Sequence, residues 1–341
     1  MPRLRRSNPA KPGLTRRRAG RGWVVLDASG RKVGDPDVLA RVRSLAIPPA
    51  WRDVWICPDP RGHIQAVGTD AAGRRQYRYH DVWRQHRDRA KYARVLRVGA
   101  RLPAMRRRWN RDLRRPELDR ERVLAAAARL LDLGLFRVGG EEYAEANDSY
   151  GLATLRREHV TVARGRMVFD YTAKAGLQRR EEVRDPKVAA VVAALVDRPD
   201  DPNPELFAYR NGSGWSDVRS TMVNEYLREV SGEQMSAKDL RTWHATVLMS
   251  AVLARNAPPP RSQAARRRII RAGYVEVSEA LGNTPAVCKS SYVNPLVVDL
   301  YCDGRVITLP RRRRTDDATR AALEREVLDL LTTDGENDDP T

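Results

Sequence analysis

Tyr292 lies nine residues after Asn283, in a stretch that runs Leu281-Gly282-Asn283-Thr284-Pro285 and ends Lys289-Ser290-Ser291-Tyr292. A tyrosine hydroxyl, with a reference pKa of about 10, becomes a nucleophile when nearby cations favour its phenolate. Most tyrosines only pack, with the hydroxyl wet or bonded, so the rest of the chain must supply the cations. Lys238 and Arg241 stand one helical turn apart in Ser236-Ala237-Lys238-Asp239-Leu240-Arg241-Thr242, where Ser236 suits an N-cap. Lys174 falls within Thr172-Ala173-Lys174-Ala175-Gly176, the tip between two strand-like runs, where a lysine is ordinarily just solvated. Arg137 sits in Leu135-Phe136-Arg137-Val138-Gly139, with Tyr143 following.

Composition narrows the partner. The chain has 341 residues, 63 Lys and Arg against 44 Asp and Glu, and a formal net charge of +19. Such an excess suits a polyanion, with nucleic acid as the first expectation. Only 7 of the 63 cations are Lys; a compositional bias explains arginine over lysine but not the excess over acids. Cys57, Cys288 and Cys302 have no paired spacing, so neither a zinc site nor a disulfide framework is expected, and a reducing cytoplasm is. No apolar run reaches membrane-spanning length, and neither anchor nor signal peptide is expected.

The elements follow from periodicity and turn residues. Residues 1–22, rich in Arg with Pro and Gly between, read as a disordered basic arm. Short strands are predicted over 23–27, 31–33, 54–57, 63–69 and 74–79, with a helix over 35–45 between them. The last strand alternates Gln76 and Arg78 with Tyr77 and Tyr79. A basic strand carrying aromatics suits a duplex groove, and the same pattern suits an amphipathic edge strand. Helices are predicted over 81–97, 99–113 and 119–133, the last capped by Asp119 and stopped by Gly134. Strands over 158–163, 167–171 and 177–183 make a β-ribbon that presents Lys174. Helices follow over 186–196, 216–231, 237–253, 262–281, 295–301 and 316–331, with Ser216 and Asp217 as candidate caps of the second. Residues 334–339 form an acidic, disordered end. The fold class is α+β: a small antiparallel lobe over 23–90, a larger, mainly helical domain over 91–310, and a separate helix and tail over 311–341.

Taken in order, the pieces around Arg137, Lys174, Arg241 and Tyr292, with the strand Gly73-Arg74-Arg75-Gln76-Tyr77, resemble the type IB DNA topoisomerases, in their compact bacterial and poxvirus-like branch. The resemblance covers about residues 23–305. It implies relaxation of supercoiled duplex DNA without ATP, cofactor or obligatory metal, through a 3′-phosphotyrosyl intermediate that the 5′-hydroxyl reseals. It also implies a monomer that clamps DNA between two lobes, associated with the nucleoid in the cytoplasm. Carried onto this chain, it makes Tyr292 the nucleophile, Arg137 and Arg241 the ligands of the scissile phosphate, and Lys174 the general acid. Arg74, Arg75, Gln76, Tyr77, Tyr79, Tyr143 and Lys238 become DNA contacts. Asn283 occupies a position that is His in much of the family.

The chemistry agrees with those roles. Attack on a phosphodiester builds a second negative charge, and fixed guanidiniums aimed at its oxygens stabilise it. The leaving 5′-oxygen needs a proton, which lysine yields more readily than arginine. An amide at 283 can donate a hydrogen bond but adds no charge. His244, three residues after Arg241, shares its helix face, though a core histidine is the plainer expectation. A two-metal nuclease would need clustered carboxylates, which these motifs lack. Two other functions fit the same residues. A tyrosine recombinase shares the constellation, but usually has His three residues before the second Arg, where this chain has Lys238, and a helical amino-terminal domain. A non-catalytic architectural DNA-binding protein would account for the absent His.

Overall fold

In the computed structural model, which describes residues 3–134, 136–140, 148–212, 214–310 and 316–333, the chain separates into two units, Met1–Lys91 and Tyr92–Thr341. The first is built on five antiparallel strands. β1 (Leu14–Ala19) and β2 (Gly22–Leu26) precede α1 (Pro36–Ser44), and β3 (Arg52–Ile56), β4 (Ile64–Thr69) and β5 (Arg75–Tyr79) follow it, in the sheet order β2-β1-β3-β4-β5. Asp35 caps α1 by accepting from the N–H groups of Asp37 and Val38, and Pro36 takes the first position, where an N–H would be idle. Val38, Leu39 and Val42 of α1 then pack on Leu14, Val54, Ile56 and Ala66 of the sheet.

Residues 3–22, the described part of the expected basic arm, are not disordered as their charge suggests. Leu14 is buried and β1 pairs with both β2 and β3. Arg16 donates to the carbonyls of Ile47, Pro48 and Trp51 and lies 4.1 Å over the Trp23 ring. Charge density argues for disorder only where the charges find no partners; here Arg16 has four.

α2 (Asp81–Asp112) is one helix of 32 residues where two were expected. Gly99 looked like a break, yet a Cβ there would meet the Trp243 indole at 2.8 Å, so the glycine serves close packing inside a continuous helix. α3 (Arg120–Gly134) is next, its Asp119 accepting from the Arg122 N–H. β6 (Val160–Ala163), β7 (Arg166–Ala173) and β8 (Leu177–Arg184) form the expected three-stranded antiparallel ribbon. After α4 (Pro186–Val196), residues 208–217 form a hairpin, β9 (Ala208–Asn211) with β10 (Gly214–Asp217), and not the start of a helix. Ser216 and Asp217 pair with Tyr209 and Ala208 as strand residues, so their cap-like chemistry misled; α5 begins at Ser220 (Ser220–Ser231). α6 (Ala237–Ala254), α7 (Gln263–Leu281), α8 (Pro285–Ser291), α9 (Leu296–Cys302) and α10 (Asp317–Thr332) complete the unit. Of these, α8 was not foreseen. No described helix is long and apolar enough to cross a membrane.

The final helix is part of the second unit's interior and not an appendage. Glu324, Val327 and Leu331 of α10 are buried. Arg106 of α2 bonds both carboxylate oxygens of Asp132 at 2.8 and 2.9 Å and both of Glu324 at 2.6 and 2.8 Å. Arg129 adds Asp132, Asp185 and Asp317. His244 of α6 closes the network, its Nε2 being 3.1 Å from Asp132 Oδ1. Burial would raise the Asp132 carboxyl, but His244 beside it and the Arg106 guanidinium hold it well below the usual range. Asp132, His244 and Glu324 could converge on a cation, but Arg106 and Arg129 already supply the charge there. Removing one member would strand a buried charge, at a cost of about 3–5 kcal/mol.

Candidate active site

Arg137 is set by its neighbours on both sides. Phe136 is buried against Phe169 and Tyr171, at ring distances of 5.0 and 6.2 Å. The Arg137 carbonyl accepts from the Leu152 N–H at 2.8 Å, and that of Val138 from Ala153 at 2.7 Å. Gly139, at φ +90°, and Gly151 allow these segments to touch: a Cβ on Gly151 would be 2.5 Å from the Gly139 backbone. The guanidinium donates through Nη2 to Gly282 O at 3.0 Å.

Arg241 and Lys238 come from the first turns of α6. Its N-terminus is held where Asp239 accepts from the Ser236 N–H at 2.9 Å, half of a capping box. Arg94 of α2 bonds the same carboxylate at 2.9 and 3.2 Å. Arg241 is buried, donates to Leu281 O at 2.7 Å, and keeps an inward Nε without a partner. Burial lowers its pKa to about 10; Tyr292 beside it opposes that shift, while Arg137 and Arg179 add to it.

Tyr292 is the residue just past α8, a helix capped by Thr284 through the Val287 N–H with Pro285 at its start. Cys288 O accepts from the N–H groups of both Tyr292 and Val293. Val293 O accepts from the Tyr92 hydroxyl at 2.7 Å, and Asn294 N–H donates to Thr246 Oγ1 of α6 at 3.1 Å. Tyr292 is thus fixed on both sides of its own peptide. Its ring lies 5.5 Å from the Arg241 guanidinium and 5.9 Å from Lys238 Nζ.

Lys174 begins the three-residue turn between β7 and β8, closed by the pair Ala173 and Leu177 and relaxed by Gly176 at φ +72°. It lines a pocket of about 260 Å³ with Arg137, Lys238, Arg241 and Tyr292. Four cations therefore surround one tyrosine, and no described carboxylate lines the space. Each cation favours bound anionic charge, and together they suit a phosphate.

Asn283 adjoins this pocket in sequence but does not line it. Its N–H donates to Ser278 O as α7 ends in the left-handed Gly282, at φ +59°. Both polar atoms of its side-chain amide are buried and unpartnered, each at a cost of about 1–3 kcal/mol. His244 is absent from the pocket and belongs to the Asp132 network. Tyr143 lies outside the described residues.

In the other unit, Arg74, Arg75, Gln76, Tyr77 and Tyr79 lie on or beside the edge strand β5. Tyr77 and Tyr79 stack at 6.0 Å on one face, as alternation requires. Arg74 and Gln76 both bond Asp70, at 2.9 to 3.0 Å, and Arg78 reaches Ala46 O at 2.9 Å. Arg75 remains exposed.

The model of the family described as eukaryotic DNA topoisomerase I, catalytic core, matches residues 80–296, and that of the bacterial DNA topoisomerase IB N-terminal domain matches residues 22–70. The chain belongs to the type IB DNA topoisomerases. It is similar to DNA topoisomerase 1B of Acanthamoeba polyphaga mimivirus, at 28% identity over 85% of this chain and 87% of the viral protein. DNA topoisomerase 1B of vaccinia virus (strain Copenhagen) is 22% identical over 74% and 76%. A solved XerH site-specific recombinase aligns with 58% of this chain and 50% of its own at 15% identity and a TM-score of 0.38, a likeness that decides nothing. The topoisomerase is thus an enzyme that relaxes supercoiled DNA through a transient single-strand break.

Two residues at the site of this topoisomerase were not singled out from sequence. Ser149 lines the pocket with a buried hydroxyl that has no partner; no sequence signal separates it from other serines. Arg179 donates to Glu279 O and Ala280 O at the end of α7; it is one arginine of many, and only the register of the ribbon brings it there.

Proposed function

We propose that Tyr292 Oη attacks the scissile phosphorus as the P–O5′ bond breaks, leaving a 3′-phosphotyrosyl link. The phenolic proton passes to solvent as the bond forms, and Lys174 Nζ gives a proton to the departing 5′-oxygen. Resealing runs the same steps backward, so the bond energy kept in the phosphotyrosine makes ATP unnecessary. Arg137 and Arg241 hold the non-bridging oxygens, where a planar fork can anchor one N–H to a carbonyl and aim the others at the phosphate. The observation that carries this reading is the single pocket in which four cations face Tyr292.

Lys238 serves as a DNA contact beside that phosphate, and Arg74, Arg75, Gln76, Tyr77 and Tyr79 contact the duplex from the amino-terminal unit. The enzyme acts as a monomer, since one chain furnishes every member of the pocket, with supercoiled duplex as its preferred substrate. Its place is the cytoplasmic nucleoid, which suits three cysteines that are all free. The test is relaxation of a supercoiled plasmid with EDTA and no ATP: ladders resolved in fine steps are expected. Site-restricted strand exchange would favour a recombinase, and salt-sensitive binding without an adduct an architectural protein.

Asn283 takes the donor role at the phosphate, since its side-chain amide is buried without a partner and it follows Gly282, whose carbonyl Arg137 bonds. Asn283→Ala is expected to slow single-turnover cleavage by about 100-fold. Cleavage at the wild-type rate would remove Asn283 from the mechanism.

A further inference from the structure

The last four carbonyls of a helix have no donor within it and carry the negative end of its dipole. At the end of α7 backbone N–H groups reach Ser278 O and Glu279 O, and three arginines bond the successive carbonyls of Glu279, Ala280, Leu281 and the capping Gly282. Arg137 takes Gly282 O and Arg241 takes Leu281 O, each through one nitrogen, at 3.0 and 2.7 Å. Arg179 takes the other two, Glu279 O through Nη1 at 3.2 Å and Ala280 O through Nη2 at 3.1 Å.

We propose that Arg179 is a positioning residue of the cleavage reaction, pinning the end of α7 so that its carbonyls orient Arg137 and Arg241 toward the phosphate. The inference rests on the roles proposed above for those two arginines. Arg179 sits on β8 opposite Tyr171 of β7, in the ribbon whose tip bears Lys174. One side chain therefore joins the ribbon that presents the general acid to the helix end that aims both phosphate ligands and leads into Asn283. Three guanidiniums this close repel, and among the described residues Arg179 is the one that pairs with a carboxylate, Glu181 on its own strand. Burial raises the Glu181 carboxyl, and Arg179 opposes that rise.

Gly282 makes the arrangement possible for two reasons. Its φ of +59° ends α7, and a Cβ there would be 2.4 Å from Arg179 Nη1 and 2.9 Å from its Cζ. The guanidinium thus occupies the space a side chain at 282 would need, in direct contact with the turn. Arg179 itself is largely buried and is not among the residues that line the pocket. It acts through its neighbours and not on substrate.

Single-turnover cleavage by Arg179→Ala and Arg179→Lys, on a phosphodiester and on a substrate with an uncharged methylphosphonate at the scissile position, tests this. Misaimed phosphate ligands should slow Arg179→Ala on the phosphodiester by about 10- to 100-fold, with DNA affinity and melting temperature near wild type. The deficit should shrink on the methylphosphonate, whose transition state carries one negative charge fewer for Arg137 and Arg241 to neutralise, and Arg179→Lys should regain most of the rate. Wild-type cleavage by Arg179→Ala would overturn the inference. So would equal slowing on both substrates without rescue by Lys, the mark of a general folding defect. A wild-type enzyme that forms no 3′-linked adduct would instead overturn the roles given to Arg137, Arg241 and Tyr292.

Discussion

Tyr292→Phe is expected to form no covalent adduct and to relax no DNA, while binding duplex as the wild type does. The ring should keep its place, because the main chain around it is held by Cys288, Thr246 and Tyr92 and not by the phenol. What is lost is the attacking oxygen, and deletion of a nucleophile removes catalysis by about 10⁶-fold where no substitute stands nearby. Among the described residues, Tyr150 is the one other tyrosine lining the pocket. Its hydroxyl donates to Asp148 at 2.6 Å, and that carboxylate raises its pKa, the opposite of what an attacking phenolate needs. Denaturing the reaction mixture and separating protein-linked DNA checks the point, with gel retardation as the control for binding. A persisting 3′ adduct in the variant would take the nucleophile's role from Tyr292.

Much of this site was readable because its parts are local. Helix α6 announces itself by Ser236 and an apolar run, which places Lys238 and Arg241 on adjacent turns, and the ribbon announces itself by Arg164-Gly165-Arg166, which places Lys174 at a tip. Convergence of these parts on one pocket came from family resemblance, since no periodicity carries a contact between residues 137 and 282. The errors share that cause. Gly99 looked like a helix break because the Trp243 ring that requires it lies 144 positions away. The arginines of residues 1–22 suggested disorder because the carbonyls that satisfy Arg16 belong to residues 47, 48 and 51. Helix α10 looked like an appendage because Glu324 is an ordinary exposed-helix residue until Arg106 is placed beside it. Polar residues whose partners are distant in sequence are the ones that local patterns misassign.

Arg241→Met is expected to do two opposite things, and both follow from burial. Arg241 lies 97% out of solvent with one nitrogen unpartnered, so the folded chain holds a poorly compensated charge whose pKa falls to about 10. Replacing such a group by an apolar one of similar length often stabilises a protein by about 1–4 kcal/mol. For a unit of this size, each 1 kcal/mol raises Tm by about 2–4 °C. The same substitution removes a guanidinium from the transition state, and cleavage should fall by about 10³-fold. Arg241→Lys keeps the charge but cannot bond Leu281 O and grip a phosphate with a fork at once, so it should remain well below wild type. The pH dependence has a fixed sign. Between about 10 and the ordinary, higher arginine range, the unfolded chain holds the proton that the folded chain releases, so this group makes stability rise with pH there; below 10 it contributes no slope. Calorimetry beside single-turnover cleavage reads both effects. A variant that melts lower than wild type and still cleaves would show that Arg241 is a structural residue; higher Tm with lost cleavage would show a charge kept in the interior for the sake of the phosphate.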